Sequence, residues 1–193
     1  MAVNLTKGQK ISLDKEAGGA LSRVAMGLGW DAVKSKGFLG FGAKSAEIDL
    51  DASCVLFDDT NKPLDVVWFR QLKSRDGSIA HSGDNRTGAG DGDDEVINVN
   101  LQAVPANVRS IVFTVNSFTG QSFAQVENAY CRLLDAGSGR EVARFDLSVQ
   151  GPHSAQIMAK LYRHNGEWKM HAIGENGNGR TFDELLPQIA QHL

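Results

Sequence analysis

The chain is a succession of short apolar runs separated by turn residues, and this constrains its fold more than any other feature. Runs stand at 11–13, 22–28, 48–57, 65–69, 96–101, 111–115, 130–134, 141–147, 156–162 and 168–173. They are strand-sized rather than helix-sized. Several alternate with a period of two: Val24, Met26 and Leu28 share one face, and Ile97, Val99 and Leu101 oppose Asn98 and Asn100. Asn165-Gly166, between two such runs, is the signature of a type I′ hairpin turn. Asp135–Arg140, which contains Ala-Gly-Ser-Gly, reads as a second hairpin loop. Helix signals are few. Ser122–Gln125 has capping-box form, and so does Thr181–Glu184, which opens a C-terminal helix that Pro187 should shorten or kink. The spacing predicts an all-β fold, a two-sheet antiparallel β-sandwich with a few short helical turns and a short C-terminal helix, forming a single domain over residues 1–193.

Composition supports a packed core. Of 193 residues 41% are apolar and 22% charged, which excludes disordered and collagen-like classes. The two cysteines, Cys54 and Cys131, lie far apart, which excludes a disulfide scaffold or a Cys-rich zinc site and favours a reducing compartment. No apolar stretch approaches a membrane span and the N-terminus has no apolar leader, so a cytoplasmic location is expected. A net charge of −3 offers no general field for nucleic acid. The charge is unevenly spread. Residues 1–46 carry a net +4, residues 47–95 a net −7, and residues 96–193 balance.

The acidic excess concentrates at Gly83–Glu95, where Asp84, Asp91, Asp93, Asp94 and Glu95 are interleaved with Gly88, Gly90 and Gly92. Glycines allow carbonyls to turn inward and carboxylates supply hard anionic oxygen, the needs of a Ca²⁺ site. The spacing is not that of an EF-hand, because Arg86 and Gly88 stand where oxygen ligands belong and no helical pattern flanks the segment. Zinc would require His or Cys, and His81 is the one such residue nearby. Asp49 and Asp51 share one face of a strand, with Leu50 and Ala52 on the other. They could share a cation with the acidic segment or simply face solvent. Asp31, after Gly27-Leu-Gly-Trp30, is a weaker contributor or a turn residue. A solvated acidic turn is the alternative to cation binding throughout.

Other features are less directive. Lys34–Lys44 is a basic, Gly-rich insert carrying Phe38, Leu39 and Phe41, either a surface loop or a docking loop for an acidic partner or membrane. Trp30, Trp68 and Trp168 read as core aromatics, and His164 as a strand-end residue. The five histidines show no metal-ligand spacing. No nucleophile elbow or pKa-splitting carboxylate pair is evident, so no enzyme is expected. Each cysteine lies in an apolar run, which favours a buried inert thiol over a redox role.

The segments GLGWD (27–31), DLDAS (49–53), HSGDNRTGAGDGDDE (81–95), VENAYCRLLD (126–135), EVARFDL (141–147) and LYRHNGEWK (161–169) together resemble the TerD family of bacterial tellurium- and stress-resistance proteins. The long insert after GLGWD, VNSFTGQSF (115–123) and GRTFDE place it nearest the family's TerZ-type branch. The resemblance implies a non-enzymatic β-sandwich holding calcium, two ions in all. Ligands would be drawn from Asp31, Asp49, Asp51, Asp84, Asn85, Asp91, Asp93, Asp94 and Glu95, with Gly88 and Gly90 as carbonyl donors. It also implies partners: other ter-family proteins and the membrane protein TerC, through which the chain would sit peripherally at the inner membrane. The alternatives are a structural or buffering calcium protein, or thiol-dependent tellurite detoxification through Cys54 and Cys131.

Overall fold

A computed structural model describes residues 2–32, 49–83, 92–147 and 151–193. The insert at 34–44 and the candidate ligands Asp84, Asn85, Gly88, Gly90 and Asp91 lie outside the described residues. Among the described residues twelve strands form two six-stranded sheets. The first runs β1 (Val3–Asn4), β10 (Glu141–Asp146), β9 (Val126–Asp135), β3 (Arg23–Ala32), β7 (Glu95–Asn100) and β6 (Ile79–His81). The second runs β2 (Lys10–Ser12), β12 (Glu167–Gly177), β11 (Ala155–His164), β8 (Ser110–Ser117), β4 (Leu50–Phe57) and β5 (Pro63–Val67). Among the described residues every pairing of these strands is antiparallel except that of β1 with β10. The expected sandwich is the observed architecture.

Alternation builds the core. Val24, Met26 and Leu28 from β3 and Ile97 and Val99 from β7 meet Leu50, Ala52, Cys54 and Leu56 from β4 and Ile111, Phe113 and Val115 from β8. A smaller apolar cluster lies on the outer face of the second sheet, where Leu185 and Ile189 cover Val55, Val112, Ile157 and Ile173. Among the described residues no helix is long and apolar enough to cross a membrane.

Local signals are met in part. Asn165 and Gly166 both have positive φ (52° and 81°), as a type I′ turn demands. The C-terminal segment breaks into a 3₁₀ turn (Phe182–Leu185), α2 (Leu186–Ile189) and a further 3₁₀ turn, with Pro187 in the first turn of α2. The expected Thr181 capping box does not form. The Thr181 hydroxyl turns to the Asp183 side chain, and Glu184 takes the N–H of Arg180 instead. Leu13, expected at the end of a strand, opens α1 (Leu13–Ala17), because the Ser12 hydroxyl caps the Lys15 N–H. Trp68 is not a core residue. It is half-buried in a surface cluster with Phe69, Phe118 and Phe182, and the Arg70 guanidinium lies over three of these rings.

Candidate functional site

Three strands bring carboxylates to one end of the sandwich. Asp31 lies near the end of β3, Asp93 and Asp94 just before β7, and Asp49 just before β4. The Asp94 N–H donates to the Leu28 carbonyl (2.8 Å), and its carboxylate accepts the Trp30 N–H (2.9 Å). The chain ahead of β7 is thereby stitched to β3. Burial, and then the neighbouring charges of Asp31, Asp93 and Glu95, push the Asp94 carboxyl above its usual range, against the pull of the Trp30 N–H. Asp31 accepts from the Asn128 amide (2.8 Å). Asn128 adopts a left-handed φ of 52°, next to the register shift between β3 and β9.

The GLGWD segment has a steric meaning that sequence alone did not disclose. Gly27 and Gly29 fall on the outer face of β3, alternating with the core residues Leu28 and Trp30. A Cβ on Gly27 would lie 2.1 Å from Asp93 Oδ2, and one on Gly29 would lie 2.5 Å from the Tyr130 ring. The two glycines let a carboxylate and a phenol lie flat on the strand. Asp93 there accepts from Arg132 Nε (2.8 Å), and Arg132 also reaches Glu141 (3.2 Å). The Tyr130 hydroxyl donates to the Gly92 carbonyl (2.8 Å), and Arg144 stacks over its ring, 3.7 Å from the centroid. A cavity of about 380 Å³ opens here, lined by Trp30, Asp31, Gly92, Asp94, Asn128, Tyr130 and Arg144.

Glu95 is placed differently from its sequence neighbours. It shares the inward face of β7 with Ile97 and Val99 and is fully buried beside His81 of β6. Strand β5 pairs with β4 only from Cys54 onward, and among the described residues no strand pairs with the backbone at 50–53 on that side. Glu95 and His81 fill the role. Glu95 Oε2 accepts the Ala52 N–H (2.6 Å), and His81 Nε2 donates to the Ala52 carbonyl (3.1 Å). His81 Nδ1 accepts the Gly83 N–H (3.0 Å), which places the ring proton on Nε2, 3.4 Å from Glu95. A buried backbone left unpaired would be costly, so two side chains of one sheet complete the edge of the other.

Asp49 and Asp51 do share a face, as expected, while Leu50 and Ala52 enter the core. Asp51 does not point to solvent. It is buried directly across from Asn116, whose amide donates to the Gly179 carbonyl. Asp31 and Asp94 therefore share a cavity, Asp93 is engaged by arginine beside it, and Asp51 and Glu95 are buried within the same end. The cavity's donors are hard oxygens, which suit calcium rather than zinc. Among the described residues no three His, Cys, Asp or Glu side chains close on one point. Tyr130, Arg132 and Arg144 were not singled out from sequence, since basic and aromatic residues in alternating strands carry no motif.

Both thiols are buried. Burial pushes Cys131 up to about 12 and raises Cys54 as well, so neither supplies a thiolate near neutrality.

The TerD domain matches residues 1–188 of the chain. A tellurium resistance protein TerZ of Serratia marcescens is 55% identical, over 97% of this chain and 96% of its own. General stress protein 16U of Bacillus subtilis is 43% identical and the tellurium resistance protein TerD of Serratia marcescens 42%, each over 93% of both chains. In fold, the crystal structure of a Streptomyces coelicolor homologue of telluride resistance protein (TerD) superposes with a TM-score of 0.71 at 20% identity, covering 89% of this chain and 98% of that one.

Proposed function

Because the chain belongs to the TerD family of tellurium-resistance and stress-response proteins, we propose that it serves that response as a non-enzymatic, calcium-binding interaction module. The observation that carries the calcium reading is the convergence of carboxylates from separate strands on one end of the sandwich, with Asp31 and Asp94 facing one cavity. Like charges held this close repel, and burial sharpens the repulsion. Asp31 and Asp94, which line the cavity, are the described residues we assign as oxygen donors to a hard cation, with Asp84, Asn85 and Asp91 as further donors by sequence. A bound divalent cation would supply charge neutralisation and nothing chemical. The chain's own residues do the rest: Gly27 and Gly29 admit Asp93 and Tyr130, Arg132 orients Asp93, and Trp30 orients Asp94. Other ter-family proteins, and TerC at the inner membrane, are the proposed partners of the surface so formed.

The thiol alternative loses ground because both cysteines are buried and poorly acidic. A structural or buffering calcium protein is the second reading, favoured if the ion binds without changing the surface.

The test is a thermal melt of chelator-treated protein with Ca²⁺, Mg²⁺ or Zn²⁺, beside an Asp31→Asn/Asp91→Asn variant. A ligand at about a hundred times its Kd stabilises by roughly 2.7 kcal/mol, several degrees for a chain of this size. A shift with Ca²⁺ that the variant loses supports the reading. No shift, or one undiminished in the variant, sinks it.

A further inference from the structure

Among the described residues Arg144 is the one cationic side chain lining the cavity that holds Asp31 and Asp94. Strand register puts it there. Arg144 of β10 stands opposite Arg132 of β9, and Asp146 stands opposite Tyr130. Arg144 and Tyr130 are therefore diagonal neighbours on the outer face, a separation that a long side chain spans. The guanidinium makes that reach and stacks 3.7 Å from the centre of the Tyr130 ring. Leaning this way carries its charge along β9 towards Glu127, which stands opposite Asp31 of β3.

The two arginines of this face are used differently. Arg132 is committed: its Nε donates to Asp93 and a terminal nitrogen to Glu141. The Arg144 Nε donates to Asp146 (3.2 Å), a carboxylate that is 72% exposed, and such an exposed pair is weak. Among the described residues its two terminal nitrogens have no hydrogen-bond acceptor, and neither Asp31 nor Asp94 comes within ion-pair distance of it. Arg144 is thus not the counter-ion of the cavity's carboxylates. A guanidinium held flat on a phenol keeps its two-pronged edge for an oxyanion, which it meets with two parallel hydrogen bonds.

With both carboxylates ionised, Asp31 and Asp94 against Arg144 leave the described lining net negative, and a bare anion is repelled. A divalent cation on the two carboxylates reverses that sign. Calcium takes about six to eight oxygens and fills part of that number from water or a ligand. At about 380 Å³ the cavity has the volume of about a dozen waters, room for a cation and a small anion together.

We propose that the cavity takes a compact oxyanion, of the phosphate or tellurite kind, held between a calcium ion on Asp31 and Asp94 and the terminal nitrogens of Arg144. Tyr130 is the platform that fixes the guanidinium. The oxyanion is bound and not converted. This rests on the calcium reading of the same cavity and adds the class of ligand that the cation serves. A lipid or nucleic-acid surface fits less well, because the charge that would meet it is a single guanidinium set beside two carboxylates.

Binding at linked sites is reciprocal, so the oxyanion must tighten calcium by the factor by which calcium tightens the oxyanion. Titration calorimetry of the full chain measures calcium affinity in chloride, then at matched ionic strength with inorganic phosphate or with tellurite, below the solubility limit of either calcium salt. The expected result is a tightening of at least about fivefold with one oxyanion or both, and no oxyanion binding in chelator. Which of the two acts distinguishes phosphate from the oxyanion of the resistance phenotype. Arg144→Gln should abolish the tightening and, by taking a positive charge out of the cavity, should strengthen calcium binding in chloride. Arg144→Lys keeps the charge without the flat fork and should keep a smaller tightening, which serves if the glutamine variant folds poorly. Lys62→Gln loses the same charge at the β4–β5 turn, at the other end of β4 from Asp51, and should keep the whole effect. Calcium affinity indifferent to both oxyanions, an undiminished tightening in Arg144→Gln, or an equal loss in Lys62→Gln would overturn this inference alone. No calcium binding in any buffer would overturn the calcium reading beneath it as well.

Discussion

Replacing Gly27 by alanine tests whether the outer face of β3 is a seat for Asp93. The added Cβ would lie 2.1 Å from Oδ2, 2.3 Å from Cγ and 2.7 Å from Oδ1 of Asp93. Ordinary carbon–oxygen contacts are more than 1 Å longer, so the carboxylate must leave. Its departure breaks the 2.8 Å bond from Arg132 Nε and removes the Tyr130 hydroxyl's neighbour at 3.2 Å. A hydrogen bond to a charged group contributes about 1.5–3 kcal/mol. Arg132 is 27% exposed and retains Glu141, which favours the lower half of that range. Alanine in a strand recovers about 0.5–1 kcal/mol over glycine. The balance is a net loss of about 0.5–1.75 kcal/mol, or a fall in Tm of roughly 1–7 °C for a chain of this size. Urea unfolding measures it, and a cycle with Asp93→Ala isolates the cause. In the Asp93→Ala background the same alanine meets empty space, and it should be neutral or mildly stabilising. An equal cost in both backgrounds would refute the steric account.

Further expectations come from other parts of the fold. Glu95→Ala strips the buried Ala52 N–H of its acceptor and should cost about 1–3 kcal/mol in urea unfolding, with Glu95→Gln costing less because an amide oxygen can still accept. Cys54→Ser/Cys131→Ser cells should keep full tellurite resistance, and native protein should react with a thiol reagent no faster than it unfolds; rapid native labelling would contradict the burial argument. His171 is held near 4 when folded, below its ordinary value of 6.5, so the unfolded chain binds more protons between those values. Stability should therefore fall as pH drops from about 6.5 towards 4, by less than the full shift because the ring is partly exposed. A His171→Gln variant should show a flatter profile over the same window in thermal melts, and parallel profiles would count against the assignment.

What the sequence disclosed follows from how local each signal is. Period-two alternation needs only neighbours, so the core faces of β3, β4 and β7 were readable, and so was the Asn165-Gly166 turn. The two-residue β1 and three-residue β6 were not, because strands so short have no period to detect. Strand β9 extends four residues ahead of the expected 130–134, through Glu127 and Asn128, poor strand formers kept there by the register shift against β3. Glu95 shows the limit most sharply. In sequence it ends a run of acids, and alternation with Ile97 and Val99 was the one sign that it faces inward. Its partner His81 lies fourteen residues away, and its reason for being buried is a stretch of β4 that β5 does not reach, which no local pattern encodes. Gly27 and Gly29 are a parallel case: their neighbours on the outer face are Asp93 and Tyr130, brought from two other strands or their approaches. The acidic end is therefore built by two kinds of fit. Glycines make room for a carboxylate and a phenol outside the sheet, and a buried acid–imidazole pair completes a strand edge within it. Disturbing Gly27 and disturbing Glu95 should be additive in stability, since they act on opposite faces of the first sheet and share no partner. A coupling well above 0.5 kcal/mol between Gly27→Ala and Glu95→Gln would mean that Asp93, Asp94 and Glu95 move as one segment, and that both faces are held by the same short chain ahead of β7.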